Sequence, residues 1–140
     1  MLSAYPACFI KEDTAYSVIF PDLNHLATCG ETLDEAFSMA IDCLAGHLYC
    51  LKKENQTPPK PSDFSEIDIP QILKEIGYES CDSFLNMVTV DVEEYAKQHF
   101  EKSVKKTLTI PAWLNTIALE HNINFSQVLQ KALKEELHIK

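Results

Sequence analysis

Apolar and polar positions follow two periods along this chain, first about two and then about 3.6. Residues 5–10 and 15–20 are apolar, aromatic and β-branched runs joined by the polar link Lys11-Glu12-Asp13-Thr14. That pattern predicts a β-hairpin. Pro21-Asp22 ends the second strand, and Ala27-Thr28-Cys29 predicts a short third one closed by Gly30. From Leu33 the spacing becomes three and four: Leu33, Ala36, Phe37, Ala40, Ile41, Leu44, Leu48 and Leu51. This is one apolar face of a helix of roughly five turns. Thr32-Leu33-Asp34-Glu35 before it is a capping box, in which the Thr and Glu side chains satisfy free amides at the helix start. Set against the hairpin sheet, that face predicts a two-layer α/β body.

Residues 55–61, NQTPPKP, form a Pro-rich loop. Residues 70–77 read as a short helix, with Pro70 near its start and Gly77 at its end. Residues 84–90 are almost continuously apolar with β-branched members, which predicts an interior strand. Asp91-Val92-Glu93-Glu94 is a second capping box, opening a helix through about residue 100. Glu101-Lys102-Ser103 is the expected link to a tail unit, which divides the chain into residues 1–102 and 103–140.

The tail repeats the change of period. Thr107-Leu108-Thr109-Ile110 alternates as a half-exposed strand does, and Pro111 stops it and suits a first helical turn. Trp113, Leu114, Ile117 and Ala118 follow at helical spacing. Asn122-Ile123-Asn124 breaks that helix, since Asn tolerates the left-handed conformation of a tight turn. Ser126 is expected to cap a second helix with apolar face Val128, Leu129, Ala132, Leu133 and Leu137. One lone strand and two half-apolar helices bury too little to stand alone. Pairing with a second copy, strand against strand, is the natural remedy. This stretch resembles a ribbon-helix-helix domain, in which two chains form an antiparallel ribbon that enters the DNA major groove. The resemblance implies that Lys105, Thr107 and Thr109 face base edges. The amides near Asn124, Phe125 and Ser126, at the start of the second helix, would hold a phosphate.

Charge sharpens the division. The 140 residues carry a formal charge of −9. Residues 104–140 hold five Lys against three Glu, while residues 1–103 hold seven Lys against eighteen acids. An acidic body at −11 suits a basic partner and repels nucleic acid, while a tail at +2 permits DNA contact. There is no Arg, so basic contacts fall to Lys, which reaches phosphate but lacks the bidentate fork for guanine. No apolar run approaches the length of about 18 that spans a bilayer, and the N-terminus lacks the pattern of a signal peptide. Five Cys without a C-x-x-C pair fit reduced thiols in a cytoplasm.

Little here suggests catalysis. His25, His47, His99, His121 and His138 form no H-x-x-x-H pair, and His47 with Cys50 supplies only two ligands of a metal site. Three Gly cannot build a phosphate loop. Cys8, Cys29 and Cys43 read as buried and inert. Asp22, Glu31, Asp34 and Asp42 would have to converge for metal-dependent nuclease chemistry. Asp34 and Glu35 are explained by helix capping.

The body also has a family look. Tyr5-Pro6-Ala7, then Tyr16-Ser17-Val18 leading to Phe20-Pro21-Asp22-Leu23, then the run from Thr28 through Thr32-Leu33-Asp34-Glu35-Ala36, and later Val90-Asp91-Val92-Glu93-Glu94-Tyr95, resemble the HicB antitoxins. This chain departs at Asn24-His25-Leu26, where that family commonly has a Pro-Gly-Cys type turn. The resemblance implies an α+β fold: a degenerate ribonuclease H-like body, an antiparallel sheet packed on a helix, followed by a ribbon-helix-helix domain for dimerisation and DNA binding. It implies an antitoxin, not an enzyme and without a cofactor, that masks a HicA-type toxin. Such toxins are small basic ribonucleases that cleave messenger RNA. It also implies repression of the chain's own operon through a homodimer of the tail, or a tetramer if the bodies pair too. Asp22, Glu31 and Asp34, read as lying at one strand end and the helix start, are the expected toxin contacts. Two other readings stay open on the residues alone: a DNA-binding regulator whose body senses another ligand, and a ribonuclease H-like nuclease, which would bind magnesium.

Overall fold

The structure is a computed structural model that describes residues 1–78 and 81–140. The chain divides into two compact units, Met1–Lys102 and Ser103–Lys140.

The first unit is built on a four-stranded antiparallel sheet in the order β3-β2-β1-β4. Strand β1 spans Leu2–Lys11, β2 Tyr16–Phe20, β3 Leu26–Gly30 and β4 Ser83–Asp91. The hairpin and the third strand form as their patterns predict. The assignment of the interior strand does not hold. β1, with neighbours on both sides, is the strand buried on both faces from Tyr5 to Ile10. β4 is an edge strand on which Phe84 and Met87 are exposed. A continuous apolar run signals burial on both faces, and in β4 the run reflects one buried face plus an uncovered edge.

Helix α1, Leu33–Lys53, lies on one face of the sheet. Thr32 accepts the Glu35 amide, and the Glu35 carboxylate reaches back to the Glu31 amide at 2.9 Å. Gly30 is required by this corner: a Cβ there would stand 2.4 Å from the Ala36 nitrogen. Ala36, Ala40, Leu44, Ala45 and Leu48 pack on Tyr5, Ala7, Phe9, Val18 and Phe20. Helix α3, Val92–His99, capped by Asp91, leans on α1 through Tyr95 and Phe100. Tyr95 donates to Asp42 at 3.0 Å, and Lys52 pairs with Glu93 at 2.7 Å.

The sheet has a second covered face. Helix α2, Ile69–Glu75, sets Ile72 and Leu73 against Cys8, Ile10 and Ile19. The body is therefore three-layered rather than two-layered. Two apolar residues on a seven-residue helix are too weak a pattern to announce a layer.

To pass from α1 to α2 the chain rounds the end of the sheet as the Pro-rich loop. Asn55, at φ 57°, ends α1 in the left-handed conformation, and Gln56 donates to the Leu51 carbonyl. Two side chains then hold the loop. Tyr5 donates its hydroxyl to the Pro59 carbonyl. Asp22, on a short 3₁₀ turn after β2, accepts the Ser62 amide at 2.8 Å and the Ser62 hydroxyl at 2.6 Å. Asn24 and His25, which follow, both have positive φ, at 55° and 56°.

In the second unit, α4 spans Ala112–Glu120 and α5 Phe125–Glu136. Residues 102–111 have no regular structure, so the expected strand at 107–110 does not form in the single chain. A strand is held by a ladder, and among the described residues no strand pairs with this segment. The cap of α5 also differs from expectation. Asn124 accepts the Gln127 amide at 3.1 Å, while Ser126 lies inside the helix and accepts from Gln130. No residue of this unit is buried; Ala118 and Leu129 are half-buried and the rest exposed.

Candidate interaction surfaces

The first surface is acidic and lies at one end of the sheet. Lys11 pairs with Tyr16, Tyr16 with Gly30, and Ile10 with Ser83. That register brings the 11–14 hairpin link, the exit of β3 and the approach to β4 to the same end. Glu12, Asp13, Glu31 and Asp82 gather there, and Asp34 follows in the first turn of α1. Asp13, Glu31, Asp34 and Asp82 are exposed. Among the described residues none of these carboxylates has an ion-pair partner. Each charge therefore remains open to a cation. Sequence reading singled out Glu31 and Asp34 but not Asp13 or Asp82. The four are scattered along the chain, and only the antiparallel register collects them.

Asp22 does not belong to this group. It follows β2, whereas Glu31 lies beyond the strand end paired with the start of β2. At about 3.4 Å per residue, the two ends of β2 are about 14 Å apart. Asp22 instead borders an open cleft of about 600 Å³ with His47, Cys50 and Glu54. His47 lies thirteen residues beyond Asp34 on α1, roughly 20 Å along the axis. The three expected toxin contacts therefore do not share one patch, and both Asp22 oxygens are occupied by Ser62.

The second surface is the tail. Lys105, Thr107 and Thr109 are exposed in the irregular segment. Phe125 and Ser126 precede the first intrahelical bond of α5, from the Val128 amide to the Asn124 carbonyl. Their own amides thus lack helical acceptors, the usual condition of a first turn. The apolar residues are equally uncovered: Leu108 is 61% exposed, Trp113 66%, Val128 53% and Leu137 63%.

Chemistry within the body is sparse. Among the described residues, no three His, Cys, Asp or Glu side chains converge as metal ligands would. Burial pushes the Cys8 thiol above its ordinary range, and burial and then Asp42 do the same to Cys43. Both are poorer nucleophiles for it. Cys29, expected to be buried, is exposed on edge strand β3, as Cys50 is on α1. No helix is long and apolar enough to cross a membrane, among the described residues.

The first unit is thus an acidic α+β body and the second a pair of helices with no buried residue. The family model of the HicB-like antitoxins of bacterial toxin–antitoxin systems matches residues 5–133, and the chain belongs to that family. A chain of the toxin–antitoxin complex from Streptococcus pneumoniae is 36% identical, with 97% of this chain and 99% of that one covered and a TM-score of 0.64. Antitoxin HicB 2 of Photorhabdus laumondii is 32% identical over 68 residues, 47% of this chain. That match spans about half the length of the relative, 49%. An uncharacterised 14.9 kDa protein of Haemophilus phage HP1 is 27% identical over 79% of this chain and 74% of its own. The family is one of antitoxins, not of enzymes.

Proposed function

We propose that this chain binds and neutralises a HicA-type, messenger-RNA-cleaving toxin through its acidic body. We propose also that it represses its own operon by binding operator DNA through a dimer of its tail, or a higher oligomer. The observation that carries the reading is that the family match runs through both units, from residue 5 to residue 133. The similar S. pneumoniae chain comes from a toxin–antitoxin complex. The place of action is the cytoplasm, where operator and messenger RNA are found. The ribonuclease H-like description of the body rests on resemblance. What supports it is a sheet in the order β3-β2-β1-β4 with α1 across one face.

The toxin contact is best assigned to the open sheet end, through Glu31 and Asp34 with Asp13 and Asp82 beside them. A basic ribonuclease would be drawn there by charge, and more slowly at high salt. Asp22 holds the loop instead. In the tail, uncovered apolar residues on the 107–110 segment, α4 and α5 support pairing with a second copy, whose strand would complete the ribbon. Lys105, Thr107 and Thr109 then read base edges, and the α5 amides at Phe125 and Ser126, with Asn124 capping, hold a phosphate.

The test is RNA cleavage by the protein encoded beside this one, with and without this chain. Suppression near one-to-one, with no cleavage by this chain alone, is the expected result. An unaffected neighbour, or a neighbour that is no nuclease, refutes the antitoxin reading. Thr107→Ala should weaken operator binding by up to roughly 1–3 kcal/mol and relax its specificity. Parental operator binding by that variant would show the strand to be a dimerisation element only.

A further inference from the structure

The tail has few side chains with which to tell one DNA sequence from another. The chain has no Arg, and the cations of the tail are Lys105, Lys106, Lys131, Lys134 and Lys140. Lys131 and Lys134 stand on the side of α5 opposite Val128, Leu129 and Leu133. They lie about 9 and 14 Å along the axis from the first residue of α5, well away from the Phe125 and Ser126 amides. Base edges are therefore left to residues 105–109, KKTLT. Leu108 and Ile110, 61% and 40% exposed in the single chain, share the inward parity. Lys105, Thr107 and Thr109, all exposed, make the outward set. Each common mode of base readout needs its own side chain: the Arg fork for guanine, Asn or Gln for adenine, a carboxylate for the cytosine amino group. The outward set holds none of these. Lys105 offers guanine a point charge without the fork. A Thr hydroxyl both donates and accepts, so it fits any base edge and selects none. The other branch of Thr does select, because thymine alone among the four bases presents a methyl group in the major groove.

We propose that the tail selects its operator by methyl contact: Thr107 and Thr109 of each copy set their γ-methyls against the 5-methyls of T·A pairs in the major groove. This rests on the reading of the tail as a DNA-binding ribbon and names what the ribbon recognises. Thr suits the task in a strand. Its branched Cβ restricts χ1, so methyl and hydroxyl are oriented before DNA arrives. A long Lys side chain has more rotamer freedom to lose on binding. Charge makes the apolar contact decisive. The tail carries +2 and the body −11, so the phosphate attraction that supplies non-specific binding is small here. Two copies bring two Thr107 and two Thr109 side chains, and the T·A pairs they meet are related by the two-fold axis of the dimer.

The probe is a pool of random-sequence duplexes, from which the full chain selects its site. The selected duplex is rebuilt with deoxyuridine in place of thymidine, one symmetry-related pair of positions at a time. That removes the 5-methyl and keeps the base pair. A buried methyl contributes about fourfold in affinity, so each such pair should weaken binding by the parent about sixteenfold. The same ratio is read in Thr107→Ser and Thr109→Ser, which lose the γ-methyl, and in Thr107→Val and Thr109→Val, which lose the hydroxyl. The ratio compares two duplexes on one protein, so any effect of a substitution on the stability of the ribbon cancels. Each Ser variant should bring the ratio at its own thymine pair near unity, and each Val variant should keep it. A selected site without T·A pairs, a parental ratio near unity, or a ratio kept in both Ser variants overturns the proposal while operator binding stands. Failure to select any duplex overturns the operator reading, and the methyl contact with it.

Discussion

Asp22 is where a toxin contact and a structural anchor can be told apart. Its carboxylate accepts the amide and the hydroxyl of Ser62 at 2.8 and 2.6 Å, which fastens the Pro-rich loop as it rounds the sheet. Hydrogen bonds to a charged group contribute about 1.5–3 kcal/mol each when sheltered. Asp22 is only half-buried, and water can take over part of each bond in the variant. A net loss of about 2 kcal/mol is the reasonable figure for Asp22→Ala. For a body of this size that corresponds to a fall in Tm of roughly 10 °C. Asp22→Asn keeps one acceptor but turns an amide NH₂ toward the Ser62 donors, so about half the loss should remain. Ser62→Ala removes only the hydroxyl bond and should cost about 1 kcal/mol. The double variant should cost less than the sum of the singles, because the two share one interaction. The five Tyr all lie in the body and the single Trp in the tail. Near-ultraviolet signals of Tyr and Trp therefore follow the two units separately, and only the Tyr transition should move. Toxin binding at 20 °C, below the transition, should stay parental. An unshifted Tyr transition together with weakened toxin binding would refute the anchor and return Asp22 to the interface.

The turn after Asp22 places His25 at positive φ, where it pairs with Glu75 at 3.1 Å. Both side chains are well exposed, so the pair contributes little. His25→Ala should therefore be less stable than His25→Gly by about 1–2 kcal/mol, read from the same Tyr transition. Asp91 is held below the usual carboxylate range, first by the Glu94 amide it caps and then by the Met1 amino group. A depressed folded value means stability present above the unfolded pKa and lost as pH falls through the folded one. The parent should lose stability below about pH 3.8, and Asp91→Asn should show a shallower loss in urea midpoints between pH 5 and about pH 2. In the tail, Asn124→Ala removes the α5 cap and should lower the Trp-monitored stability by about 1 kcal/mol. Ser126→Ala, inside the helix, should change it by a few tenths at most; the reverse order would restore Ser126 as the cap.

What could be read from the chain alone was the part written in local periodicity. Hairpin, third strand, α1 and the two capping motifs at Thr32 and Asp91 each declare themselves within a dozen residues, because side-chain spacing and cap chemistry are local. Three of the misreadings share one cause. Whether an apolar run such as residues 84–90 is interior or edge depends on which strands flank it, and that is decided by Tyr5 pairing with Val88 across more than eighty residues. Whether Asp22 stands with Glu31 depends on the direction of β2 between them. Strand character at 107–110 needs a ladder as well as an alternating pattern, and the segment forms no strand. The α5 cap is a local ambiguity instead: Asn124 takes the role two positions before Ser126, and either residue type suits it. Composition was informative for a different reason. The contrast between a −11 body and a +2 tail does not depend on how the chain folds, so it pointed to two kinds of partner before any site could be placed. The register then supplied what composition lacks: it set Asp13, Glu31 and Asp82 at one end of the sheet and left β4 open at its side.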